Sequence, residues 1–153
     1  MAELKQRLRS DLTVSIKARD QLRASTLRMV LTAISNAEVA GKQSRELTDE
    51  QVVDVLASEG KRRREAAAAF AGADRPLQAE KERAEAAIIA DYLPEQLSAE
   101  QLSAIVAETI SATGTAGAGI SAMGTVMGAL RAQVKGRADG AAAAAEVRRQ
   151  LAG

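Results

Sequence analysis

The chain has 153 residues, a formal net charge of +1, and 46% hydrophobic and 27% charged residues. That composition belongs to a folded globular protein and excludes a disordered one. The balanced charge excludes nucleic-acid binding through bulk positive potential, so any such contact must come from a local cluster.

Neither Cys nor His is present. This removes disulfides, thiolate and imidazole chemistry, and the common zinc and copper ligands. No cofactor or metal is expected. With one Phe, one Tyr and no Trp, the core must come from Leu, Ile, Val, Met and Ala, which favours closely packed helices over a sheet. No apolar stretch reaches the roughly 18 residues of a membrane span. The start, Met1 to Arg9, alternates charge with Leu and lacks the apolar centre of a signal peptide. The expectation is a cytoplasmic protein with no membrane contact.

Leu4, Leu8, Leu12 and Ile16 recur every four residues and predict a first helix from about Glu3 to Asp20. Leu27, Val30, Leu31 and Ile34 have the spacing of a buried face and predict a second helix over Gln21 to Ala40, with Gly41 as a left-handed cap. Thr48 with Gln51 forms a capping box that opens a third helix, Asp49 to Phe70, flanked by a Leu47–Val52 staple. Val52, Val53 and Leu56 face inward. Gly72 to Arg75 reads as a turn, and Pro76 suits the first position of a fourth helix running to Tyr92. Its stripe is Ala84, Ile88 and Tyr92, and Pro94 ends it.

Leu93 to Leu97 reads as a domain boundary. The expected organisation is all-α, with an N-terminal four-helix bundle-like domain at 1–93 and a C-terminal three-helix domain at 94–153. Ser98 with Gln101 repeats the capping box, with a Leu97–Leu102 staple, and opens a helix from Ala99 to Ser111. A flexible stretch, Thr113 to Gly119, precedes helices over Ser121 to Lys135 and Gly140 to Leu151.

Four features invite a chemical reading. Lys61-Arg62-Arg63-Arg64 is the densest basic run, but consecutive residues spread around a helix. It reads as a solvated surface with Glu59–Arg63 as an i,i+4 pair. Asp91 and Glu95 flank Pro94 and read as surface carboxylates. Gly124 and Gly128 form Gly-x-x-x-Gly, which reads as a close helix approach, with Val126, Leu130 and Val134 as the buried face and Met123 and Met127 beside it. In Lys135-Gly-Arg-Ala-Asp139, Gly136 is expected to cap the sixth helix in the left-handed conformation and Asp139 to cap the seventh. Arg131, Lys135 and Arg137 are then surplus to those structural roles. A tight turn that displays them with exposed backbone N–H groups suits a nucleic-acid phosphate. The candidate RNA-contacting set is Arg131, Lys135, Gly136 and Arg137.

Ser25-Thr-Leu-Arg-Met29 with Ala33-Ile34, Asp91-Tyr-Leu-Pro-Glu-Gln-Leu-Ser98, Met123-Gly with Val126-Met-Gly128, and Val134-Lys-Gly-Arg-Ala-Asp-Gly140 together resemble the YqeY-like proteins of the GatB/YqeY group. The resemblance implies a four-helix part followed by a three-helix part. The latter is similar to the tail of the B subunit of glutamine-dependent aspartyl/glutamyl-tRNA amidotransferase, which helps hold the tRNA. It thereby points to the Lys135–Asp139 turn for tRNA contact. Gly114–Gly119 and Ala141–Ala145 depart from the family pattern in lacking its polar and basic residues.

The family label implies carbon–nitrogen ligase activity with glutamine as amido donor. Releasing ammonia from glutamine needs an activated nucleophile, and the chain has no Cys and no Ser-Lys arrangement in a Gly/Ser-rich loop. Activating a carboxylate needs a phosphate cradle, and no Gly-rich loop follows a strand. No catalytic residue is assigned. The expected role is a non-catalytic tRNA-binding or accessory protein. The alternative is an adaptor that docks on a larger protein complex.

Overall fold

The computed structural model describes residues 2–153, and those residues form seven α-helices and no strand. The helices are α1 (Glu3–Lys17), α2 (Gln21–Val39), α3 (Asp49–Gly72), α4 (Pro76–Ala90), α5 (Ala99–Thr113), α6 (Met123–Val134) and α7 (Gly140–Ala152). They fall into two compact units, Met1–Leu93 and Pro94–Gly153.

In the first unit α1 and α2 run antiparallel, since Lys5 near the start of α1 bonds Glu38 near the end of α2 at 2.6 Å. α1 stops at Lys17, short of the expected Asp20, because Arg19 takes a left-handed φ of 59°. The Asp20 N–H then bonds the Ser15 carbonyl and the Arg19 N–H bonds that of Ile16. That is a Schellman ending. Asp20 instead caps α2, accepting from the Arg23 N–H at 3.1 Å.

The core of this unit gathers Leu8, Leu27, Val30, Ile34, Leu47, Val52, Leu56, Ile89 and Tyr92. Leu8 anchors α1 as expected, but Ile16 is 47% exposed while Ser15 is buried. A strict four-residue repeat rotates away from a 3.6-residue turn, so the stripe has left the core by its last member. On α4 the expected stripe is displaced by about one position, although Tyr92, just past the helix end at Ala90, is buried. Ala84 and Ile88 are half-buried, and Glu85, Ala86 and Ile89 take the interior. Gly41 is not left-handed, and α2 ends on Ala40 in ordinary helical geometry. α2 is closed differently, as the Glu38 carboxylate accepts the Leu47 N–H at 3.1 Å across the loop.

Thr48 completes the expected capping box with Gln51, and Pro76 sits in the first turn of α4. The turn between α3 and α4 repeats the Schellman pattern, with Asp74 at φ 58° and the Arg75 N–H bonded to the Phe70 carbonyl.

The second unit packs α5, α6 and α7 around Leu102, Val106, Ile110, Val126, Leu130, Val134, Ala143, Val147 and Leu151. Ser98 and Gln101 form the second capping box, which contributes on the order of 1 kcal/mol. Gly114 ends α5 at φ 66°. A short 3-10 turn, Ile120–Ala122, leads into α6. Asp139 caps α7, accepting from the Ala141 N–H.

Candidate functional site

The expected RNA-contacting residues lie at the end of α6. The helix stops at Val134 because Lys135 leaves helical geometry at φ −57°, ψ 121°, and Gly136 follows at φ 73°. The Arg137 N–H bonds the Val134 carbonyl at 2.9 Å. This is a type II turn, whose third position requires the positive φ that glycine adopts without strain. The left-handed glycine is therefore where the sequence put it. Its role differs, since it forms the bend and Lys135 is the residue that ends the helix.

Arg137 has a different position from the one its sequence suggests. Its Nε donates to the Glu95 carbonyl at 3.3 Å and its Nη1 to that of Gln133 at 3.2 Å. The Arg137 carbonyl accepts the Leu97 N–H at 2.8 Å. Gln96 Nε2 donates to the Gly136 carbonyl at 2.7 Å and to that of Pro94 at 2.9 Å. The Pro94–Ser98 segment and the Gly136–Arg137 turn, about forty residues apart, thus form one clasp within this unit. Half-buried Arg137 is a strut of that clasp. No local signal marks the roles of Glu95, Gln96 and Leu97 in the chain, because the pairing is long-range.

Arg131 and Lys135 are exposed. At 3.6 residues per turn, Gly124, Gly128 and Arg131 fall within about 60° of one another on α6, Lys135 follows at its C-terminal cap, and all four are exposed. The Gly-x-x-x-Gly pair does not admit a neighbouring helix. A Cβ built on Gly124 or Gly128 meets nothing within 4 Å. The packing expectation is corrected: this glycine face is bare and ends in two cations. Val126, Leu130 and Val134 occupy the opposite, buried face as expected.

Two further clusters sit in the first unit. Tyr92 is 5% exposed. Its hydroxyl donates to Asp11 Oδ2 at 2.5 Å and accepts from Arg23 Nη2 at 3.3 Å, and Arg7 lies 4.7 Å over the ring. Burial first, then the bond to Asp11, pushes the Tyr92 phenol above its usual range. A phenolate there would meet the Asp11 carboxylate, which disfavours its ionisation.

The basic run on α3 is only in part the solvated surface expected: Arg62 and Arg64 are exposed. Glu59 is buried, and Arg63 lies 3.8 Å from it, 3.7 Å from Glu82 and 3.7 Å from Glu85. The i,i+4 pair exists but points inward, toward α4. Burial first, then the Glu82 charge, raises the Glu85 carboxyl above its ordinary range. Arg62 reaches Glu59 at 3.3 Å from the solvent side. Asp91 and Glu95 are both exposed, as expected of surface carboxylates. No group of three or more acidic, His or Cys residues among the described residues is arranged to hold a metal ion, and none of the described helices is long and apolar enough to cross a membrane.

A family model described as Yqey-like protein matches residues 5–151. No curated protein matches the chain.

Proposed function

The chain belongs to the YqeY-like family, and from that premise we propose that it is a non-catalytic tRNA-binding or accessory protein. Its two units then act as two domains, 1–93 and 94–153, with the RNA held by the second. The observation that supports this most is the bare face of α6, where Gly124 and Gly128 leave the backbone uncovered and Arg131 and Lys135 close the line. A sugar–phosphate chain can approach such a face closely, and two cations at one end meet its charge. Gly136 contributes the bend and Arg137 holds it, so within the expected set Arg131 and Lys135 carry the contact. Nothing in this arrangement activates a substrate; it holds one.

The test is tRNA binding to the full chain across a salt series. Arg131→Gln with Lys135→Gln should weaken binding and flatten the slope of log affinity against log salt by about two. An unchanged slope in the double variant refutes the reading, and so does a tRNA affinity no better than that of a chain with a scrambled turn. Amidated tRNA or free ammonia made by the purified chain alone would refute the non-catalytic part.

The second reading, an adaptor docked on a larger complex, is favoured by Val14 and Ile16, which stand 61% and 47% exposed on α1.

A further inference from the structure

We infer that the groove between the end of α1 and the start of α2 is a docking site for an acidic amphipathic helix of a partner protein. This does not depend on the tRNA reading, because every residue it uses lies in the first unit. The groove holds about 480 Å³ and is lined by Ser15, Ile16, Arg19, Ala24, Ser25 and Arg28, with Asp20 and Gln21 at its end. Its floor is the buried Ala24 and its wall the half-exposed Ile16.

Two guanidiniums rim it. Arg19 and Arg28 are both exposed, and neither side chain is held by a hydrogen bond or an ion pair among the described residues. The one carboxylate in the lining, Asp20, is already engaged with the α2 N-terminus. The groove therefore presents two guanidiniums without side-chain partners and one capping carboxylate, a net positive charge beside an apolar strip. Arg19 also occupies the left-handed position of the Schellman ending, at φ 59°, where Gly or Asn sits at lower conformational cost. The turn alone does not call for an arginine there.

The groove follows the first two turns of α2, Gln21 to Arg28, about 10 Å of rise. A helix of similar length laid along it offers acidic residues at positions i and i+7, one toward each guanidinium. It sets apolar residues at i+3 and i+4 against Ile16 and Ala24, the helix-in-groove mode of recognition. A phosphodiester chain has no use for the apolar strip, which is why we assign a peptide and not RNA.

The experiment uses the full chain and two synthetic peptides of identical composition. One carries Glu at i and i+7 around Leu at i+3 and i+4; in the other the same Glu residues are moved to the face opposite the leucines. Fluorescence anisotropy should show the matched peptide binding at least tenfold tighter than the rearranged one. Arg19→Glu with Arg28→Glu should cost tenfold or more, and so should Ile16→Glu alone, with circular dichroism and tRNA affinity unchanged. Equal binding of the two peptides overturns the inference, as does full affinity in the charge-reversed chain. If the Arg19/Arg28 variant instead loses tRNA affinity while the peptides are not discriminated, the groove is a phosphate site and the inference fails. Failure of the tRNA reading is scored separately, at Arg131 and Lys135.

Discussion

The α1–α4 unit seals Lys5, Glu38, Glu59 and Glu85 beneath its surface beside its aliphatic residues. In the α5–α7 unit the buried polar groups among the described residues are the hydroxyls of Thr109 and Thr115. Those hydroxyls donate back to the Ile105 and Ile110 carbonyls, so they cost little to bury. The charged groups of the first unit are held by other charged side chains, and Glu38 by the Leu47 N–H as well. One unit is held by aliphatic packing closed with backbone clasps, and the other by packing that also depends on ion pairs. An uncharged core is expected to answer to volume, and a charged one to protonation as well.

The largest expected effect tests the first half of that contrast. Leu130 is fully buried on α6. Leu130→Ala should cost about 3 kcal/mol in urea unfolding, through lost transfer energy and the cavity left behind. A cost under about 1 kcal/mol would mean that the small unit collapses around the gap and is not packed as described.

A smaller effect tests the second half. Lys5→Met keeps the aliphatic stem and removes the ammonium from Glu38. The bond from Lys5 first, and the Leu47 N–H second, hold the Glu38 carboxyl below the usual carboxylate range. A carboxyl with a depressed folded pKa contributes stability that is complete above its unfolded value and lost as the pH falls through the folded one. The variant should therefore melt a few degrees below the parent at neutral pH. The gap should close down the acid limb as Glu38 protonates in both chains. A gap of constant size across the titration would show that Lys5 acts through packing alone.

The local signals were legible in the chain. Both capping boxes, Pro76 at the head of α4, the positive φ of Gly136 and the Asp139 cap each involve residues a few positions apart, and each occurs as read. The readings that failed have two causes. The four-residue stripe of α1 drifts off the 3.6-residue turn, so Ile16 is exposed and Ser15 buried. Glu59 and Arg63 were correctly paired, yet only α4, with Glu82 and Glu85, turns that pair inward. Of the candidate RNA site, the residues and the bend were visible. The commitment of Arg137 to the Glu95 carbonyl was not, since it joins residues 42 apart in the chain. The Gly-x-x-x-Gly pair was the deepest ambiguity, because the same spacing serves a packed helix and a bare one.

That ambiguity yields the smallest effect and the most discriminating sign. Glycine in a helix interior is about 1 kcal/mol less favourable than alanine. At Gly128 a Cβ meets nothing within 4 Å, so Gly128→Ala should raise stability by up to about 1 kcal/mol, seen as a higher urea midpoint at unchanged slope. Were a second helix backbone packed there, the same methyl would clash and the midpoint would fall. A stabilising alanine leaves the glycine without a role in the fold, and its role must then be sought at the exposed face. If Gly128→Ala is more stable and also binds tRNA more weakly, the bare face of α6 is held open for a ligand. If tRNA binding is untouched, the contact is confined to Arg131 and Lys135 at the end of the helix, and the glycine line above them is not part of it.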